Sequence, residues 1–271
     1  MSTSRPSLGF VGAGTMASGL ARGIHAAGLA GAITAYDPVR DVMDRFCAET
    51  GATPAADNGT VAHNAEVLFL AVKPQHLQAA CAEVAGSGVD LDGRLVVSIA
   101  AGVTLERLAG WLPGARLIRV MPNLPCVVGE MAAGFARGPS ATEKDARVVG
   151  DLLRALGVAL EVDEEHLNAV TAVSGSGPAF MARVLQAFID AGEACGLPRD
   201  AARALTLQTA RGTAALLQEH GYDTADFVDM VSSPGGTTVA GRAVLESSDL
   251  QSVIAATIAA ATERGRELAG G

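Results

Sequence analysis

Aromatic side chains are scarce in this chain: Phe, Trp and Tyr make up 4% of it, with a single tryptophan. A core must therefore be built from Ala, Val, Leu and Gly. With 49% hydrophobic against 18% charged residues over 271 positions, there is enough apolar material for a packed globular protein. The four cysteines, Cys47, Cys81, Cys126 and Cys195, contain no Cys-x-x-Cys pair, and the five histidines show no ligand spacing. No metal site is expected, and the cysteines read as buried thiols in a reducing compartment. Excess positive charge is missing too, since the formal net charge is −9. An acidic surface gains nothing from counterion release, so neither nucleic acid nor an anionic membrane is an expected partner. No apolar run reaches membrane-spanning length. Met1–Pro6 leads into the first strand without the charged and apolar regions of a signal peptide. A soluble, cytoplasmic protein is the expectation.

What is present is concentrated first in residues 8–23, LGFVGAGTMASGLARG. Leu8–Val11 read as a strand, Gly12-Ala13-Gly14 as a tight turn, and Thr15-Met16-Ala17 as the start of a helix. The Gly-x-Gly-x-x-Ala spacing is the dinucleotide fingerprint in its alanine form. Gly12 allows the sharp turn, Gly14 leaves a pyrophosphate free to approach the backbone, and Ala17 lets helix and strand pack closely. The N–H groups and dipole at the helix start then hold the phosphates.

The scheme repeats along the chain. Residues 32–36 form a second strand ending at Asp37, twenty residues after Ala17, where an acid reaches the adenosine ribose. Residues 41–50 look helical. Residues 67–72, closing on Ala71 and Val72, are a continuous apolar run typical of a buried parallel strand, stopped by Lys73-Pro74 and a helix to about residue 83. Residues 95–99 lead to the turn Ala100-Ala101-Gly102 and a helix over 105–111. Residues 116–120 end at Met121-Pro122-Asn123. Strands over 131–136 and 158–162 flank a helix over 141–156. Such alternation predicts an α/β domain, a Rossmann-type doubly wound parallel sheet with its ligand crevice at the carboxyl ends of the strands. From Leu167 no strand pattern returns. The helices 178–194 and 199–218 are apolar on more than one face, which demands burial on several sides. The chain therefore divides into residues 1–165, the dinucleotide domain, and residues 166–271, an all-helical domain suited to pairing with a second copy.

Two polar, glycine-rich interruptions break the helical half. Val173-Ser174-Gly175-Ser176-Gly177-Pro178 reads equally well as a helix cap, and no Gly-x-Ser-x-Gly elbow makes Ser176 a hydrolase nucleophile. Val231-Ser232-Ser233-Pro234-Gly235-Gly236-Thr237-Thr238 is richer than a cap needs. Its backbone N–H groups, hydroxyls and following helix start suit a carboxylate.

These residues, with GFVGAGTMA (9–17), FLAVKP (69–74), VSIAAGVTL (97–105), RVMPN (119–123), VSGSGPAF (173–180) and DMVSSPGGTTVAGRAVLE (229–246), make the chain resemble pyrroline-5-carboxylate reductase over essentially its whole length. The resemblance implies reduction of a cyclic imine to L-proline by NADPH or NADH, the last step of proline biosynthesis. It also implies a homodimer interlaced through the helical domains, able to assemble further. It places Asn58 near the adenosine ribose, and Lys73 with Ala100–Gly102 on the nicotinamide side. Ser233, Gly236, Thr237 and Thr238 match the loop that takes the substrate carboxylate, and Thr238 the residue bonded to the ring nitrogen. Gly235 and Ser176 are counted with the substrate side. Thr15, Met16, Ala71, Val72, Pro74 and Asn123 are counted with the cofactor side.

Departures from the family pattern are Leu124 for Thr, Phe180 for Tyr, Val228 for a basic residue and Arg242 for an aliphatic one. Asp37 stands where many relatives carry Ser or Thr, and a carboxylate there leans towards NADH, because a 2′-phosphate would sit beside a like charge. Arg40 could neutralise Asp37 or grip that phosphate. The competing reading is another imine or β-hydroxyacid reductase of the same two-domain plan. That reading calls for a catalytic Lys or Asp in the helical domain, and the only lysines are Lys73 and Lys144.

Overall fold

The structure, a computed structural model, describes residues 5–270. The reading of the N-terminus as leaderless rests mostly on Met1–Ser4, which lie outside the described residues. Contacts gather the chain into two compact units: residues up to Pro178 together with the stretch from Ala260, and Ala179–Ala259.

The first unit alternates β1 (Leu8–Val11), α1 (Thr15–Ala26), β2 (Ile33–Tyr36), α2 (Arg40–Thr50), β3 (Thr53–Pro54), α3 (Asn58–Asn64), β4 (Val67–Leu70), α4 (Pro74–Gly86), β5 (Leu95–Ser98), α5 (Leu105–Trp111), β6 (Arg116–Met121), β7 (Met131–Arg137), α6 (Glu143–Arg154) and β8 (Gly157–Glu161). The strands form one sheet in the order β3-β2-β1-β4-β5-β6-β7-β8. Successive residues of the central strands feed opposite faces, as the pleat requires. Leu8, Phe10, Val67, Phe69 and Val97 join the core under α1, α2 and α6. Val11, Leu68, Leu70 and Val96 join the one under α3, α4 and α5. Phe10 stacks on Phe69 with ring centroids 4.8 Å apart.

The sheet is not wholly parallel, as it had been expected to be: β7 runs antiparallel to β6. Only a short 3-10 turn, Leu124–Val128, joins them, and a parallel return would need a full crossover helix. Two elements had no sequence signal. β3 is a two-residue edge pairing that holds a proline, tolerated because an edge strand can forgo a ladder bond. α3 is seven residues long, started by Asp57, whose carboxylate accepts the Thr60 N–H.

After β8 come α7 (Leu167–Val170), a π turn over Thr171–Gly175 and the start of α8 (Gly177–Ala194). Leu167 and Ala172 are buried in the first unit. The second unit holds the rest of α8, then α9 (Arg199–His220), α10 (Thr224–Met230), α11 (Thr237–Glu246) and the first part of α12 (Leu250–Gly270). Among its described apolar residues only Ile189 and Ala202 are buried. Met181, Phe188 and Val244 are 65%, 60% and 69% exposed. Helices this apolar and this bare are one side of an interface. Among the described residues, no helix is long and apolar enough to cross a membrane.

Candidate active site

From β1 the chain passes to β2 and β3 on one side, while β4 lies on the other. Ligands bind at this switch point in open α/β sheets. Gly12 turns there with φ +93°, its N–H donating to Tyr36 O at 2.8 Å. A Cβ on Gly12 would come within 3.0 Å of the backbone at Ala71 and Val72. The fingerprint turn and the end of β4 therefore meet only because residue 12 is glycine. At Gly14 the opposite holds, for a Cβ there would meet nothing within 4 Å. Gly14 is the N-cap of α1, and no side chain caps that helix. Free N–H groups beside an open space form the cradle a pyrophosphate fills, so the residues present fit a dinucleotide. The cradle opens on a cavity of about 330 Å³ lined by Ala13, Gly14, Thr15, Ser18, Arg22 and Arg45.

Asp37 is built into this turn. Its Oδ2 accepts the Ala13 N–H at 3.0 Å and its Oδ1 the Val39 N–H at 3.0 Å. Arg40 pairs with Asp44 at 3.8 Å and not with Asp37. Lys73 and Pro74 open α4 at the end of β4. Ala100–Gly102 turn away from β5 with Gly102 at φ +74°. Thr15 and Met16 open α1 after β1, Ala71 and Val72 follow β4, and Ala101 follows β5. Two expected cofactor side chains are otherwise engaged. Asn58, buried at the start of α3, donates to Glu83 Oε2 at 2.6 Å. Asn123, buried after β6, donates from Nδ2 to Ser174 O at 3.1 Å and accepts the Ala132 N–H at Oδ1, 2.9 Å.

Ser176 follows the π turn in the first unit, its N–H donating to Thr171 O at 2.7 Å. The carboxylate-loop candidates lie in the second unit, Ser233, Gly235 and Gly236 ahead of α11 and Thr237 and Thr238 as its first two residues. Gly235 adopts φ +70° and Gly236 caps α11 without a side-chain bond. The Gly236 N–H closes a turn on Ser233 O at 2.9 Å, so it is not the open donor the loop had been expected to offer. The Ser232 hydroxyl is likewise spent on Val228 O at 2.6 Å. Ser233, Thr237 and Thr238 are exposed, and no residue caps the first turn of α11. Arg242, one of the departures, ties α10 to α11: it donates to Asp229 at 2.5 Å and pairs with Glu246.

Sequence reasoning missed a half-buried ion pair behind the β5 turn. Arg119 on β6 is buried and donates to Glu164 Oε1 at 3.0 Å. The same oxygen accepts the Leu105 N–H at 2.7 Å, so Glu164 fixes the start of α5. An arginine within an apolar strand was the available signal, because a buried charge requires a partner. Thiol chemistry is not on offer at Cys81, whose pKa burial pushes up to about 12. Among the described residues, Asp163, Glu165 and His166 gather their ligand-type atoms together, all three exposed.

The family model described as pyrroline-5-carboxylate reductase dimerisation matches residues 164–268, and the one described as NADP oxidoreductase, coenzyme F420-dependent, matches residues 7–102. The pyrroline-5-carboxylate reductase of Arabidopsis thaliana is 38% identical, over 96% of this chain and 95% of the relative. The chain belongs to the pyrroline-5-carboxylate reductase family. A solved structure of the family from Coxiella burnetii superposes with a TM-score of 0.93 at 32% identity, covering 98% of this chain and 99% of that one. The Plasmodium falciparum family member, solved with NADP bound, superposes with a TM-score of 0.84 at 27% identity, covering 97% and 98%. A nicotinamide dinucleotide is thus the cofactor class of this family's first domain, which agrees with the cradle at Gly14.

Proposed function

We propose that the chain reduces 1-pyrroline-5-carboxylate to L-proline, with hydride delivered to the C=N carbon and the imine nitrogen entering as its protonated form. The observation that carries this reading is the pairing, in one family chain, of an uncapped phosphate cradle at Gly14 with an uncapped, hydroxyl-rich helix start at Ser233–Thr238. Residues 1–165 act as the cofactor domain and residues 166–271 as the substrate-binding and dimerisation domain. Gly12, Gly14, Thr15 and Met16 hold the pyrophosphate, with Asp37 on the ribose side and Asn58 beside it, its amide N–H held by Glu83. Ala71, Val72, Lys73, Pro74 and Ala100–Gly102 line the nicotinamide side. When bound, the nicotinamide supplies the hydride. The first-turn N–H groups of Thr237 and Thr238, the Gly235 turn and the Ser233 hydroxyl take the carboxylate, aided by the helix dipole. The Thr238 hydroxyl accepts the iminium N–H and orients the ring. No acid–base pair is required, because a protonated imine is already electrophilic.

NADH is the preferred cofactor in this reading, with NADPH also accepted. The Asp37 carboxylate stands at the end of β2 with Arg40 turned to Asp44, so a 2′-phosphate meets a negative charge. The working form is a homodimer, supported by the bareness of the apolar side chains in Ala179–Ala259. Oxidation of reduced nicotinamide, followed on a panel of cyclic imines, tests the assignment. Turnover should require both the imine bond and the adjacent carboxylate. Equal rates on an imine without the carboxylate, or turnover only of a β-hydroxyacid, would refute it.

A further inference from the structure

Where the π turn passes into α8, the Ser174 carbonyl has no α-helical donor. Ser174 lies four residues before Pro178, and a proline has no N–H to return to it. The donor comes from outside the helix, from Asn123 Nδ2 at 3.1 Å. The other end of the same amide accepts the Ala132 N–H on β7 at 2.9 Å. Asn123 is 6% exposed, so neither bond is easily replaced by water, and a lost partner leaves a buried polar group unsatisfied. The Asn123 C=O meanwhile accepts the Cys126 N–H at 3.1 Å, fixing the residue in its own turn. One side chain thus joins the end of β6, the start of β7 and the turn Ser174-Gly175-Ser176. π turns of this kind concentrate at functional sites.

We infer that Asn123 is a positioning residue for the imine, holding the turn that presents Ser176, and not a ligand of the dinucleotide. This rests on the assignment of Ser176 to the substrate side. The variants Asn123→Asp and Asn123→Ala test it, with kcat and KM for the imine and Kd for the cofactor measured on each. Asp keeps the acceptor for Ala132 but sets a negative oxygen against the Ser174 carbonyl, whereas Ala removes both bonds. Both should lower kcat/KM for the imine by about tenfold to a hundredfold, with cofactor Kd changed by no more than about twofold. A purely structural role would weaken imine and cofactor together, and that parallel loss would overturn the inference. Imine kinetics within about threefold of wild type would overturn it too. Should either variant fail to fold, Asn123→Ser carries the same measurement. Ser176→Ala separates the two readings. If it impairs imine turnover while N123D does not, the positioning role falls and Ser176 stands. If N123D impairs turnover while S176A does not, the turn does not present Ser176 to the imine and the inference falls.

Discussion

Replacing Gly12 and, separately, Gly14 by alanine adds one methyl group to each of two turns that differ in what surrounds them. At Gly12 the backbone sits at φ +93°, a region that costs a non-glycine residue about 1–2 kcal/mol. The new Cβ would also lie 2.9 Å from Val72 Cγ1 and 3.0 Å from Ala71 C and Val72 N. Backbone atoms held just past the end of β4 yield little, which adds roughly 1–3 kcal/mol. We predict that G12A destabilises the protein by about 2–5 kcal/mol. At Gly14 the backbone is already at φ −70°, ψ −179° and the Cβ would meet nothing. Alanine is a poorer N-cap than glycine, but it also restrains the unfolded chain. The two effects offset to within about 1 kcal/mol. The Gly14 methyl instead occupies the phosphate cradle, where one charge-assisted bond is worth about 1.5–3 kcal/mol. Cofactor affinity should therefore fall by about tenfold to a hundredfold in a protein that unfolds like wild type. Gly14→Val should abolish binding with the fold still intact. Urea unfolding and cofactor titration by nicotinamide fluorescence read the two quantities apart. If G14A loses as much stability as G12A, or binds cofactor as wild type does, the assignment of the cradle is wrong.

Thr238→Ala should lower turnover by about tenfold to a few hundredfold, with cofactor Kd unchanged, as expected for loss of one positioning bond; unchanged steady-state kinetics would remove Thr238 from the site. Asp37→Ser should raise the NADPH-to-NADH ratio of kcat/KM by about tenfold, and a wild type that already prefers NADPH strongly would show that the Asp37 carboxylate does not meet the ribose. The protein should be at least dimeric at micromolar concentration, and a monodisperse monomer by light scattering would contradict the reading of its bare helices. Burial works against ionisation of Asp145, but the Thr142 hydroxyl and N–H and the Arg116 guanidinium outweigh it and hold its pKa below the usual carboxylate value. A lowered folded pKa means that this stability is present above about pH 4 and is lost as pH falls through the folded value. Asp145→Asn should therefore be less stable than wild type by about 1–3 kcal/mol at neutral pH. The gap should close in acid, and a gap that stays constant in acid unfolding would refute it.

Residues 8–17 were sufficient to foretell β1, the glycine turn and α1, because a short continuous apolar-permissive run, a turn that needs glycine and a helix start are all local. The same holds for β4 and β5, whose continuous apolar runs announce burial on both faces, and for β6, which Met121-Pro122-Asn123 brings to a stop. Local signals could not reveal the antiparallel β7, since direction depends on how short a connection must close on an existing sheet. Nor could they reveal β3, two residues long and edge-bound. The candidate site divides in the same way. The types of residue at 12, 14, 37, 233 and 238 declare their chemistry one by one, whereas their hydrogen-bond partners are set by residues far away in sequence. Asn58 is claimed by Glu83, and Asn123 by Ser174 and Ala132. A side chain's donors are finite, so the tertiary structure alone decides which remain for a ligand and which hold the fold together.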